Sequence, residues 1–354
     1  MRSSTEKIYK ELREELRGKY NPDALLPTER ELCERFFVGR SAVRTVLHQL
    51  EEDGLIRSRG FHGARQVSMP VKSLRKVLVF DNPREIIHQS NEHLGIFAGI
   101  SSGIRENRGE IIPIFHEYDS LLEELCAKNS TEEYSGVIFI EVYDKWYPRL
   151  CKSGIPTIIA NCESNANAVA SRVNFRMTGR MAGQELLRRG YRRIAMIGRG
   201  AGYVNDELSA GLRGAMAEER IWLDDASVVP YNYYDDDAKK RIEVEEQLRK
   251  LLVSRDRPDA FFVFRYTRCQ LLMRLAEKLN LKIPQDLGLL VYDTPILKGG
   301  DNPNISILQE PVEGLGRSAV ELLAGWSSSG VKPESKILSP DFVDKGSLRR
   351  LPGR

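Results

Sequence analysis

Arg30, Arg40, Arg44, Arg57, Arg59 and Arg65 crowd into one short stretch of a 354-residue chain, a clustering that suits contact with a phosphate-rich partner. A guanidinium grips phosphate oxygens, or the O6/N7 edge of guanine, through paired N–H donors. The chain as a whole carries a formal net charge of only +3, so any such surface must be local. A second group with chemical potential lies far downstream. Arg265 directly follows the apolar run AFFVF, and Asp293 follows GLLVY. Ligands of open α/β sheets bind outside the carboxyl ends of strands, so these two side chains are candidates for one crevice. Arg265 either pairs there with a carboxylate or phosphate on a ligand or bridges to Asp293 within the protein, and the residues leave both open. Tyr203 and Trp146 are candidates for stacking on a ligand face.

Catalysis finds little footing. The sequence has no Gly-x-Ser-x-Gly elbow, no phosphate loop and no dinucleotide fingerprint. Its five histidines and five cysteines show no metal-ligand or redox spacing. The expectation is a binding protein and not an enzyme, with no cofactor and no metal. Scattered cysteines, a charged amphipathic start and the lack of any apolar run of membrane length point to a reduced, cytoplasmic setting.

The arginines need short, rigid elements to present them. Thr28 can cap a helix and Glu31, three residues on, closes a capping box, with Leu32, Phe36 and Phe37 as an apolar stripe. Residues 37–41 read as a turn in which Gly39 is free to take a positive φ. A second helix is expected from about Ser41 to Asp53, ended by Gly54, with Val43, Val46, Leu47 and Leu50 inward. Arg40, Ser41 and Arg44 fall at its start, where a helix-turn-helix protein faces the major groove. A strand Leu55–Ser58, a turn around Gly60–Gly63 and a return through Val67 would form a basic wing.

From residue 75 the pattern changes to short apolar strands alternating with amphipathic helices. The strands are expected at 76–80, 110–115, 136–142, TIIA, 193–198, SVVPY, 260–264 and 287–292. Helices are expected near 92–107, 119–128, 178–189, 206–219, 238–253 and 268–279. This alternation argues for parallel sheets covered by helices on both faces, and about eight strands argue for two sheets.

Two resemblances follow from ordered motifs. The series LPTERELCERF, VGRSAVR and LEEDGLIRSRG resembles the winged helix-turn-helix of the GntR family of bacterial regulators. That resemblance implies DNA contacts at Arg30, Arg40, Arg44 and near Arg59; the wing segment GFHGAR is one residue longer than usual. The series GVIFIEV, GIPTIIANC, TGRMAGQELLRRGYRRIAMIG, RPDAFFVF, KIPQDLGLLVYD and NISILQEPVEGLGRSAVELL resembles the ligand-sensing domain of the LacI family. It implies a two-lobed, periplasmic-binding-protein-like fold with an interlobe cleft, and a dimerisation unit. The combination is known from arabinose-responsive repressors. At the cleft the chain departs from sugar binders of that family: Leu208 stands where they place an Arg, Arg265-Tyr266 replaces an Asn-Asp pair, and Phe175-Arg176 replaces an Asp-Asn pair.

The expected protein is therefore an α/β chain with a winged helix-turn-helix domain at 1–69, a linker at 70–74 and a LacI-type sensor at 75–350. Its expected work is ligand-responsive repression as a cytoplasmic homodimer on double-stranded operator DNA. DNA contacts are expected at Arg30, Arg40, Ser41, Arg44, Arg57 and Arg59, and contacts to a sugar or anionic effector at Asp293, Arg265, Tyr203 and Trp146. The alternative is a solute-binding or enzymatic α/β domain fused to a DNA-binding head. The Pro-interrupted stretch SMPVKSLRKV predicts no hinge helix between the two parts.

Overall fold

The computed structural model describes residues 2–18, 24–53, 55–59, 64–67, 74–81, 91–114, 119–128, 133–141, 146–163, 167–232, 238–294 and 304–351. The chain divides into two compact units, the second starting at Leu74. The expectations for Gly54, for the Gly60–Gly63 turn and for a hinge at 68–73 fall outside the described residues.

The first unit is helical with a two-stranded wing. α1 (Arg2–Gly18) precedes α2 (Glu29–Phe36) and α3 (Arg40–Glu52); β1 (Ile56–Arg59) pairs antiparallel with β2 (Ala64–Val67). The capping box forms as the sequence predicts: Thr28 caps Glu31 N–H while Glu31 accepts from Thr28 N–H. Ile8, Leu12, Leu32, Val43, Leu47 and Leu50 share one core. The turn, however, is built differently from the expectation. Gly39 has φ −75° and serves as the N-cap of α3. The left-handed residue is Phe37, at φ 52°, which ends α2 and leaves its ring 95% exposed instead of extending the apolar stripe. Ring exposure follows from the geometry, because a residue that reverses the chain at a helix end points away from the packed face.

The second unit contains two six-stranded sheets. Lobe 1 holds β3 (Lys76–Phe80), β4 (Glu110–Ile114), β5 (Tyr134–Ile140), β6 (Thr157–Ala160) and β7 (Ala170–Val173). Lobe 2 holds β8 (Ile194–Gly198), β9 (Val228–Pro230), β10 (Ala260–Phe264), β11 (Gly288–Asp293) and β12 (Ser306–Gln309). Two late strands complete them: β13 (Lys336–Leu338) beside β7, and β14 (Asp341–Val343) antiparallel to β12. The orders β4-β3-β5-β6-β7-β13 and β9-β8-β10-β11-β12-β14 repeat one another, except that β13 runs parallel to its neighbour and β14 antiparallel. Each reverses direction between its first strand and its third, leaving a crevice at the carboxyl ends there.

Helices clothe both sheets: α4 (Asn91–Glu106), α5 (Asp119–Lys128), α6 (Trp146–Lys152), α7 (Phe175–Arg188), α8 (Tyr203–Glu218), α9 (Ala238–Val253), α10 (Tyr266–Lys278) and α11 (Val312–Ser329). Two helix pairs touch through glycine. A Cβ on Gly99 of α4 would meet the Glu313 carbonyl of α11 at 2.1 Å, and one on Gly179 of α7 would meet the Leu208 carbonyl of α8 at 2.0 Å. Contact this close fixes the first helix of each repeat against its neighbour, and with it the residues at its amino end.

Candidate functional site

The head presents Arg30, Arg40, Ser41 and Arg44 on exposed positions of α2 and α3. Arg44 Nε donates to Glu29 Oε2 at 2.9 Å, and the other Glu29 oxygen takes Arg65 Nη1 at 3.0 Å. Arg65 also reaches Glu51 at 3.1 Å, so the wing strand β2 is tied to both helices. Arg44 and Arg65 hold the Glu29 carboxyl below its ordinary range. Exposed pairs such as Arg44–Glu29 are weakly held and exchange readily for a phosphate. Arg57 donates to Gln66 on the facing strand at 3.3 Å. Arg59 ends β1, and its side chain lies outside the described residues.

In the second unit the carboxyl ends of both sheets meet. Asp81 follows β3, Glu141 follows β5 and Asn161 follows β6; Arg199 follows β8, Arg265 follows β10, Asp293 ends β11 and Glu310 follows β12. Arg265 is caged by carboxylates: Nη2 lies 2.6 Å from Glu92 Oε2, while Nη1 lies 2.6 Å from Glu310 Oε2 and 3.7 Å from Asp293 Oδ1. Its plane also sits over the Phe264 and Tyr292 rings, 4.9 and 5.4 Å from their centroids. Asp293 spends its oxygens on backbone, accepting Tyr266 N–H at 2.6 Å and Thr294 N–H at 2.8 Å, so it caps α10. The bridge that the sequence offered as one alternative is thus present, with Glu92 and Glu310 as the near partners.

Lobe 1 answers with a buried network. His93 Nδ1 meets Asp81 at 2.5 Å and Nε2 meets Glu141 at 3.0 Å. Asn161 Nδ2 donates to Glu92 and to Glu141, each at 2.9 Å. Arg199 of lobe 2 pairs with Glu163 of lobe 1, a second ion pair across the crevice. Glu141, Asn161 and Arg265 have φ of 61°, 61° and 69°, a left-handed backbone held at three strand ends that converge here.

Burial by itself would strip the proton from His93; its bonds to Asp81 and Glu141 outweigh that and hold the value up to about 10, so the ring is an imidazolium. Burial raises Glu92 and Glu310 to about 7 against the pull of Arg265. Glu141 is also buried, but its bond and charge contact with His93 outweigh burial and keep it below the ordinary carboxylate value.

The remaining expected residues do not join this cluster. Trp146 is fully buried beside Phe80 and Phe139, donating Nε1 to Asp119 at 2.6 Å, which makes it core. Tyr203 stands exposed at the first position of α8. Arg176 forms a two-pronged pair with Glu207 at 2.9 and 3.0 Å. Sequence reasoning missed Asp81, Glu92, His93, Glu141, Asn161, Glu163, Arg199 and Glu310. Five of these had a signal: Asp81, Glu141, Asn161, Arg199 and Glu310 each follow an apolar strand, as Arg265 does.

Known proteins resemble both units. Residues 4–65 match the family described as bacterial regulatory proteins of the gntR family, and residues 184–348 match a periplasmic binding protein-like domain. Catabolite control protein A of Staphylococcus epidermidis is 20% identical over 226 residues, 63% of this chain and 66% of that protein. The repressor PurR of Vibrio vulnificus is 28% identical over 146 residues, 41% of this chain and 42% of that one. The chain thus spans about two thirds or less of these relatives. Among solved structures, a transcriptional regulator CelR–cellobiose complex is covered over 100% of its length and 91% of this chain, with TM-score 0.61 and 18% identity. A transcription regulator from Lactobacillus plantarum gives TM-score 0.63 at 16% identity, over 78% of this chain. The matched segments and the fold together give one chain a gntR-type helix-turn-helix segment followed by a two-lobed periplasmic-binding-protein-like fold. Among the described residues no helix is long and apolar enough to cross a membrane.

Proposed function

We propose that this chain is a cytoplasmic, homodimeric repressor that binds a near-palindromic operator through its winged head and releases or tightens it when a small molecule enters the crevice between the sensor lobes. The head is assigned to 1–69, the linker to 70–74 and the sensor to 75–350. The observation that carries the reading is the pair of ion bridges across the crevice, Arg265–Glu92 and Arg199–Glu163, at the carboxyl ends of two sheets with matching strand order. A ligand that favours one lobe arrangement over another must make or break such contacts, and a binding preference of that kind is what allostery requires. The acidic surroundings of Arg265 favour a neutral or cationic effector over an anionic one. A structurally similar regulator, CelR, is titled a cellobiose complex, which makes a sugar one candidate effector here, while arabinose has no specific support.

The test is selection of a duplex from a random pool by the full chain, followed by titration at fixed salt. Arg40→Ala and Arg44→Ala should each weaken binding to the selected site by about 1–3 kcal/mol if they read guanine. A pool that yields no preferred site, or two variants that bind as wild type does, overturns the reading. Sedimentation of the full chain without DNA should give a dimer.

A further inference from the structure

We propose that Arg192, Arg193, Arg257 and Arg349 form a second binding site, for a phosphate group carried by a small metabolite or present as the free ion. The site lies at the end of lobe 2 opposite the crevice.

Position separates it from the crevice. Arg193 directly precedes β8, Asp259 precedes β10 and Leu287 precedes β11. These strands run parallel, so all three residues stand at amino ends, whereas Arg199, Arg265 and Asp293 stand at carboxyl ends. A cavity of about 370 Å³ opens at the amino ends, lined by the four arginines, by Asp259 and Asp286, and by apolar wall that includes Leu287. That is room for a small organic ligand.

Bonds fix the walls. Asp259 accepts Arg192 N–H at 3.2 Å and Arg193 N–H at 3.0 Å, and Asp286 accepts Lys282 N–H at 2.9 Å. The buried Tyr191 hydroxyl accepts Arg349 N–H at 3.0 Å, and Leu351 N–H donates to the Arg189 carbonyl at 2.8 Å. Residues 349–351 are thereby laid along the rim.

Charge supplies the ligand chemistry. Arg192 Nη1 donates to the Leu187 and Tyr191 carbonyls at 2.9 and 3.1 Å, and Arg193 Nε donates to the Arg257 carbonyl at 2.8 Å. These bonds orient two guanidiniums without neutralising them. Among the described residues the Arg257 and Arg349 side chains have no hydrogen bond, and none of the four guanidiniums pairs with a carboxylate. Elsewhere in the sensor arginines do find acids: Arg176 holds Glu207, Arg249 holds Glu246 and Arg317 holds Glu106. Here the two acids of the cavity spend oxygens on backbone, and four like charges gather in excess of them. A phosphate monoester brings close to two negative charges at neutral pH, where a carboxylate brings one. Its oxygens also take the paired N–H donors that a guanidinium offers.

The experiment is calorimetric titration of the full chain without DNA, at constant ionic strength, with glycerol 3-phosphate, inorganic phosphate and glycerol. Saturable binding of phosphate is expected, with glycerol silent. Tighter binding of the ester assigns a metabolite, and tighter binding of inorganic phosphate assigns the free ion. Arg257→Gln and Arg349→Gln should each weaken binding roughly tenfold by removing one charge-assisted contact. Neither side chain has a bond to lose, so both variants should melt where wild type does before phosphate is added, which separates lost binding from lost fold. No saturable binding of either phosphate at millimolar concentration overturns the site. So does a loss caused by Arg40→Ala or Arg44→Ala in the head and not by the two cavity variants. Operator selection is read without phosphate, so failure here leaves the regulatory reading standing.

Discussion

Arg265 reaches from the end of β10 in lobe 2 to within 2.6 Å of Glu92 at the start of α4 in lobe 1, while its other nitrogen holds the fully buried Glu310 at 2.6 Å. One guanidinium therefore serves two carboxylates on two lobes, which the fork of Arg permits and the point charge of Lys does not. Arg265→Ala strands Glu310 and Glu92 without a counter-ion and should cost about 3–5 kcal/mol of stability, the usual penalty for breaking a buried pair from one side. Arg265→Lys should recover only part of it. Thermal unfolding of both variants checks this; an Arg265→Ala protein as stable as wild type would remove the bridge from the account.

The same cluster sets a pH profile. Glu92 and Glu310 titrate at about 7 when folded, above the usual 4.5, so the folded chain binds more protons between those values and loses stability as pH rises through that window. His93 is raised from 6.5 to about 10, so its contribution is fully present below 6.5 and is lost as pH climbs towards 10. Glu141, lowered by His93, contributes stability above 4.5 that is lost in acid. The four groups together place the maximum near mildly acidic pH, with a decline from there into the alkaline range. Melting temperatures measured from pH 4 to 10 should show that decline, and His93→Gln should flatten its alkaline limb. A wild-type maximum above pH 8 contradicts the assignment.

How much of this was legible in the sequence follows the range of the interactions. The Thr28–Glu31 capping box and the inward face of Val43, Val46, Leu47 and Leu50 are local and were readable. Four strands were not: Ala170–Val173 contains Ser and Arg, Ser306–Gln309 is short and half polar, and Lys336–Leu338 and Asp341–Val343 are too short to show periodicity. Arg265 and Asp293 were readable because each closes an apolar strand. Their true company was not, since Glu92, Glu141, Asn161 and Glu310 converge only through the repeated strand order. Trp146 illustrates the opposite failure: an aromatic near a strand end that the fold turns into the core.

Phe37 holds a left-handed conformation, φ 52°, with its ring 95% exposed and no place in the head's core. A Cβ in that region costs roughly 1–2 kcal/mol, while glycine adds back some freedom to the unfolded chain. Phe37→Gly should therefore stabilise the head by up to about 1 kcal/mol, visible as a later unfolding transition of the first unit. A destabilised variant would mean that the ring makes contacts in solution that the fold does not display.

Glycines on two helices should respond oppositely to the same change. Gly99→Ala in α4 drives a methyl to 2.1 Å from the Glu313 backbone carbonyl of α11, and backbone cannot step aside as a side chain can. The helices must part, opening the packing of Ile96, Ile100 and Val320 in the main core of the sensor. Overpacking of this kind costs about 1–3 kcal/mol, and because α4 also carries Glu92 and His93 the loss should extend to the crevice. Gly214→Ala in α8 meets nothing within 4 Å, so only helix propensity changes, by about 1 kcal/mol in favour of alanine. Denaturant titration of the two variants beside wild type should move their midpoints in opposite directions. Equal shifts would show that α4 and α11 are not in the contact described.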